Sequence, residues 1–214
     1  TQGVSSAASD VYKRQPTDTV VAAGVERLRG ARHDCLIGFG GGSPMDTAKA
    51  MAIQAALEPG THIRSVKFPA RADRGALPVI CIPTTAGTGS EATRFTIVTD
   101  TERDEKMLIA GLGALPLAAI VDHELSWTVP PRITADTGVD SLTHALEAFV
   151  SRRANPFSDD YARQAMRLIA PNLRAVYARP DDVAAREAMM RGALLAGIAF
   201  SNASVALVLS LIPI

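Results

Sequence analysis

The chain has 214 residues, 47% of them apolar and 21% charged, with 22 basic and 22 acidic side chains and a formal net charge of +0. That length fits one large domain, or one domain and part of a second, and that balance excludes disorder. Without a basic surplus, nothing advertises a nucleic-acid partner, which would need clustered Lys and Arg facing phosphates.

Cys35 and Cys81 each lie inside an apolar run and read as buried thiols, not as a disulfide or a zinc pair. A reducing cytoplasm is the default compartment. The N-terminus lacks the apolar stretch of a signal peptide. Asp10-Val-Tyr-Lys-Arg-Gln15 is what GATGTGTATAAGAGACAG would encode, and the reverse complement encodes Leu-Ser-Leu-Ile-His-Ile. The chain ends Leu209-Ser-Leu-Ile-Pro-Ile214, one codon away. Both ends resemble a translated transposon adapter, so 1–15 and 209–214 are expected to be non-native. Pro16–Val208 is then the biological sequence, cut at both ends.

Along the chain, Thr17–Leu28 places Val20, Val21, Val25 and Leu28 at helical spacing. Asp34–Gly38 reads as a short buried strand running into Gly40-Gly-Gly-Ser43, after which Pro44 is expected to open a helix carrying Met45, Ala48, Met51 and Ala52. Leu77–Pro83 reads as a second buried strand, followed by the small-residue loop Thr84–Ser90. Arg94–Val98, Lys106–Ile109 and Ala118–Val121 read as further short strands. The alternation predicts a parallel sheet with helices on its faces. Beyond Pro130-Pro131 the pattern turns helical, over Ile133–Val150, Asp159–Tyr177 and Val183–Val208. The expected division is an α/β unit over 16–129 and an all-α unit over 130–208. Leu194–Ile214 is uncharged and long enough to span a bilayer, but Gly197, Ser201, Asn202 and Ser204 interrupt it, so it reads as a buried helix.

Two loops carry chemistry. Phe39-Gly-Gly-Gly-Ser-Pro-Met-Asp46 lies between a strand and a helix, where glycines admit a bulky anion and the helix start offers N–H donors. Ser43 stands where the dinucleotide fingerprint has its third glycine, and no Gly-Lys-Ser/Thr follows, so neither standard phosphate motif is met. Pro83-Thr-Thr-Ala-Gly-Thr-Gly-Ser-Glu91 also follows a strand; two such loops at adjacent strand ends could line one crevice. Further on, Asp140 and His144 stand at i, i+4 and share a helix face, about 5–6 Å apart at Cβ. Carboxylate and imidazole together suit iron(II) or zinc(II). Taken alone, the pair reads better as an ordinary surface Asp–His contact, and His33, His62 and His123 have no spacing that completes a metal site.

Together these segments resemble three successive motifs of the iron-containing alcohol dehydrogenase family: Gly40–Lys49, Pro83–Glu91 and Thr137–Glu147, in the family's order. The resemblance implies a dinucleotide-binding α/β domain followed by an all-helical domain, the dehydroquinate synthase-like fold, both incomplete here, with a metal between them. It implies that Gly41, Gly42, Ser43 and Asp46 form the pyrophosphate loop of NAD or NADP. Thr84, Thr85 and Thr88 would contact phosphates and neighbouring groups, and Ile97 and Lys106 would line the nicotinamide and ribose side. Asp140 and His144 would be two of four ligands to Fe(2+), with Zn(2+) as the other candidate.

Ser201–Val208 resembles the lead-in to the family's next ligand, a histidine, and Leu209 stands in its place. The implied activity is hydride transfer between a small alcohol or aldehyde and NAD(P), with no nucleic-acid or membrane partner and a homodimer as the commonest assembly. Same-fold alternatives are a glycerol dehydrogenase, a maleylacetate reductase, a sugar-phosphate cyclase, or a non-catalytic dinucleotide-binding module. With two ligands in hand, the 214-residue chain itself is expected to be inactive and marginally folded.

Overall fold

The computed structural model describes residues 15–204. Nearly all of the adapter-like segments, and the end of the Val183–Val208 helical stretch, lie outside the described residues. The first helix, α1 (Asp18–Arg29), is capped by Thr17, whose side chain accepts the Val20 N–H. Asp18 in its first turn and Arg27 and Arg29 in its last oppose the helix dipole favourably. β1 (Leu36–Gly40) leads into α2 (Gly42–Ala55). β2 (Val79–Pro83) follows, then β3 (Phe95–Asp100), β4 (Glu105–Ala110) and the two-residue β5 (Ala118–Ala119).

β1, β2 and β5 form a parallel sheet in that order, in register from Leu36↔Val79 to Gly40↔Pro83. Their alternation decides which face is covered. Leu36, Val79 and Cys81 pack on Met45, Ala48 and Ala52 of α2. Ile37 and Phe39 point the other way and are more than half exposed. Helices on both faces were expected; among the described residues only the α2 face is covered.

Three further expectations are corrected. The helix after the glycines begins at Gly42, not at Pro44, because Gly42 and Ser43 already take helical geometry, which leaves Pro44 still inside the first turn. β3 and β4 do not join the parallel sheet: the tight turn at Thr101–Asp104 folds them into a separate antiparallel ribbon. Cys35 is half-buried because it precedes the strand, whereas Cys81, inside β2, is fully buried.

The helical part consists of α3 (Pro131–Val150), α4 (Pro156–Ala178) and α5 (Val183–Ala203). Proline opens α3, and α4 starts on an Asn155/Ser158 capping box with Pro156 in its first turn. Ala145, Ala165, Ile169, Val176, Ala185, Met189 and Ala196 form the core of the three helices. A second cluster of Ala148, Ala162, Ala199 and Ala203 lets the backbones approach closely. Arg186 of α5, buried, donates to the Ser126 and Pro180 carbonyls at 2.7 and 2.8 Å, tying the segment before α3 to the bundle. Among the described residues no helix is long and apolar enough to cross a membrane.

Ile169 is wholly buried at the centre of that core. Ile169→Ala is expected to lower unfolding free energy by about 2–5 kcal/mol, the range for truncating a buried branched side chain. Urea titration checks this; a loss below about 1 kcal/mol would show a site that collapses freely.

Candidate functional site

The two loops leave adjacent parallel strands at their carboxyl ends, the position where open sheets bind ligands. The Thr84 N–H donates to the Gly40 carbonyl at 2.9 Å, joining the loops at their roots. They stay in contact further out. A Cβ on Gly42 would fall 2.9 Å from Thr88 Cγ2, and one on Gly41 would fall 3.6 Å from Thr85 Oγ1. Gly41 caps α2 with no side-chain acceptor, so its own side chain occupies none of the first-turn N–H groups.

Behind the loops lies a buried polar cluster. Asp46 receives the Ser90 hydroxyl at 2.6 Å on one carboxylate oxygen and the Ile97 N–H at 3.0 Å on the other. The Thr96 hydroxyl donates to the Asp46 carbonyl. Lys49, one turn along α2 and fully buried, gives its ammonium to Ser90 Oγ, Phe95 O and both oxygens of Thr93, at 2.9–3.2 Å. Burial raises the Asp46 carboxyl above its usual range, while Lys49, Ser90 and Ile97 pull it back. Burial lowers the Lys49 ammonium against the opposing pull of Asp46, Cys81 and Glu91.

The second loop is also fastened to the helical part. Gly89 adopts φ of 62° and lies against Gly197 of α5, where a Cβ would meet the Gly197 Cα at 2.7 Å. Neither backbone leaves room for a side chain. Gly87 packs in the same way on Thr137 of α3. The Arg94 N–H donates to Ser201 Oγ, and the Phe95 and Phe200 rings lie nearly parallel at 6.3 Å.

That fastening brings α3's Asp–His pair to the loop. His144 Nε2 stands 3.6 Å from Asp140 Oδ1. The imidazole is buried, tilted against the Phe200 ring at 4.5 Å, and bordered by the Gly87 backbone. Burial lowers the His144 pKa, opposed by Asp140, Glu147 and Gly87, and burial raises that of Asp140, opposed by His144. A neutral imidazole is the form that ligates metals. The separation exceeds a hydrogen bond, yet an ion about 2.1 Å from each atom at a near-tetrahedral angle would set them roughly 3.4 Å apart. The pair therefore fits as two donors of a metal set. Among the described residues no group of three His, Cys, Asp or Glu is placed to hold an ion.

Gly41, Gly42, Thr84, Thr85 and Thr88 thus meet at the end of the sheet, Ser43 follows in the first turn of α2, and Asp46 lies one turn along that helix. Ile97 joins them through its N–H to Asp46. Lys106 is exposed on the same outer face of the ribbon as Ile97, two cross-strand pairs further along. His62 is engaged elsewhere, with Asp18 at 3.1 Å. Lys49, Ser90, Glu91 and Phe200 also belong to this region, although no site expectation from the sequence included them. A signal existed for Lys49: it shares the apolar face of α2 with Met45, Ala52 and Ile53, an odd place for a cation.

Solved structures define the class. The chain superposes on 1,3-propanediol oxidoreductase with a TM-score of 0.84 at 40% identity, covering 91% of this chain and 50% of that one. It matches sulfoacetaldehyde reductase from Bifidobacterium kashiwanohense, solved with NAD+, with a TM-score of 0.83 at 36% identity, covering 91% and 51%. The fold is that of the iron alcohol dehydrogenases. The sequence profile of iron-containing alcohol dehydrogenase matches residues 1–123, and that of the Fe-containing alcohol dehydrogenase family's C-terminal part matches 134–212. The chain belongs to the iron-containing alcohol dehydrogenase family. It is 41% identical over 196 residues to the NAD-dependent methanol dehydrogenase of Bacillus methanolicus, covering 92% of this chain and 51% of the relative. The chain spans about half the length of the curated relatives it matches.

Glu91, beside Lys49 and 4% exposed, is pushed up to about 7 by burial. Its folded pKa exceeds the unfolded value of about 4.3, so the unfolded chain loses this proton first as pH rises. The stability it contributes is complete below about pH 4 and is lost as pH rises toward 7. Glu91→Gln is therefore expected to gain stability relative to wild type between pH 4 and 8, measured by urea unfolding. A difference independent of pH would contradict the assignment.

Proposed function

We propose that this chain supplies the dinucleotide cradle and two metal ligands of an NAD(P)-linked, metal-dependent dehydrogenase that interconverts small alcohols and aldehydes. The observation that carries this reading is the placement of His144, with Asp140 beside it, against the same Thr84–Ser90 loop whose other side meets the glycine turn. Two sites that the reaction needs together are held by one short segment. Family membership and relatives named for methanol and 1,3-propanediol support the substrate class.

Each group has a defined task in this proposal. The first-turn N–H groups of α2 and the hydroxyls of Thr84, Thr85 and Thr88 hold the cofactor's diphosphate, with the helix dipole favouring its charge. Asp46 fixes the ribbon backbone at Ile97, so that the ribbon's outer face, with Ile97 and Lys106, borders the remainder of the dinucleotide. Asp140 and His144 hold a divalent ion, iron or zinc, which when bound supplies Lewis acidity toward an alcohol or aldehyde oxygen. NAD or NADP supplies the hydride chemistry. Packing by Phe200 and Gly87 holds the imidazole in place and keeps water from it.

In the complete gene product, Asp140→Ala and His144→Ala should each lower kcat more than about a hundredfold, since groups behind a ligand already contribute roughly 10–100-fold. NADH affinity should change less than about twofold, because neither side chain belongs to the cradle. NADH-absorbance assays with a short alcohol, before and after chelation and iron reconstitution, read both quantities. Metal-independent cofactor binding without turnover, or full turnover by His144→Ala, would overturn the reading.

A further inference from the structure

Lys49 is the largest fully buried side chain among the described residues, yet it has no carboxylate within ion-pair distance there. Its partners are neutral oxygens from three places. Ser90 Oγ closes the second loop, Thr93 offers its carbonyl and hydroxyl, and Phe95 O begins β3. Burying an ammonium is costly unless every proton is engaged, and here three protons meet four acceptors.

The contact with Ser90 has a directional consequence. A hydroxyl has one proton, and Ser90 sends it to Asp46 Oδ1 at 2.6 Å while accepting from Lys49 at 3.0 Å. Asp46 is then held on one oxygen by Ser90 and on the other by the Ile97 N–H. One cation thus sets the spacing between α2, the end of the second loop and the start of the ribbon.

We propose that Lys49 is a positioning residue for the cofactor, acting through Ser90 and Asp46 to lock the glycine turn and the Thr84–Ser90 loop at the separation that grips a dinucleotide diphosphate. This rests on the reading that the two loops bind NAD(P). Lys49 itself touches no ligand; its effect belongs to cofactor affinity and not to the chemical step.

The test is NADH fluorescence titration and steady-state kinetics on the complete gene product. Lys49→Met should raise the NADH Kd and the dinucleotide KM about tenfold or more, as misplaced binding groups do, with kcat changed less than about threefold. Ser90→Ala should do the same, and the double variant should be no weaker than the worse single one, because both act in one chain of contacts. Ile169→Val, in the helical core, should lower thermal stability and leave Kd unchanged, separating positioning from loss of stability. Unchanged Kd in Lys49→Met, or additive losses in the double variant, would overturn the proposal. If Lys49→Met does not fold, Ser90→Ala decides alone, and an unaltered Kd there overturns it. Wild-type protein that fails to bind NADH would sink the cofactor reading instead.

Discussion

Room for a side chain is what this structure withholds where its two parts meet. The Thr84–Ser90 loop runs between the glycine turn on one side and α3 and α5 on the other, and backbone lies against backbone or side-chain stem at Gly42, Gly87 and Gly89. Such contacts leave the loop few alternative positions. Its hydroxyls face the turn after β1, and the His144 ring lies at its other edge. Tight packing of small groups here couples the glycine turn to the His144 ring, because a shift of the loop would disturb both.

The polar network behind the loop follows from the same demand. Buried Lys49 and Glu91 and half-buried Asp46 are expensive, and apolar residues of similar volume would serve stability as well or better. Directional bonds are what apolar packing lacks. Ser90, Thr93 and Phe95 each accept from one ammonium, so the end of the second loop and the start of the ribbon are fixed relative to α2. Arg186 does a comparable job for the segment before α3, gripping the Ser126 and Pro180 carbonyls.

Much of this was readable from residue order. Pro130-Pro131 marks the entry to α3, whereas α4 starts at Pro156 under the Asn155 cap, three residues ahead of the expected Asp159. Asp140 and His144 were legible because an i, i+4 spacing is local. The ribbon is not legible in the sequence, because β3 and β4 look like any short strands until their turn folds them on each other, and periodicity carries no partner information. Pro44 suggests a later start for α2 than the one Gly42 makes. Lys49 stood in plain sight, but its acceptors lie more than 40 positions away, and only the fold brings them together. The packing of Gly89 on Gly197 was invisible for the same reason.

Membership of the iron-containing alcohol dehydrogenase family accounts for the order of the three motifs, and in the structure the glycine turn, Thr137 and His144 all border one loop, Thr84–Ser90. The central claim is that Asp140 and His144 hold an ion beside that loop. Anomalous scattering at the iron edge, from crystals of the complete gene product grown with iron and NAD, tests it most directly. The account predicts a peak within about 2.0–2.3 Å of both Asp140 Oδ1 and His144 Nε2. Iron bound elsewhere, with the two side chains closed on each other, would contradict it.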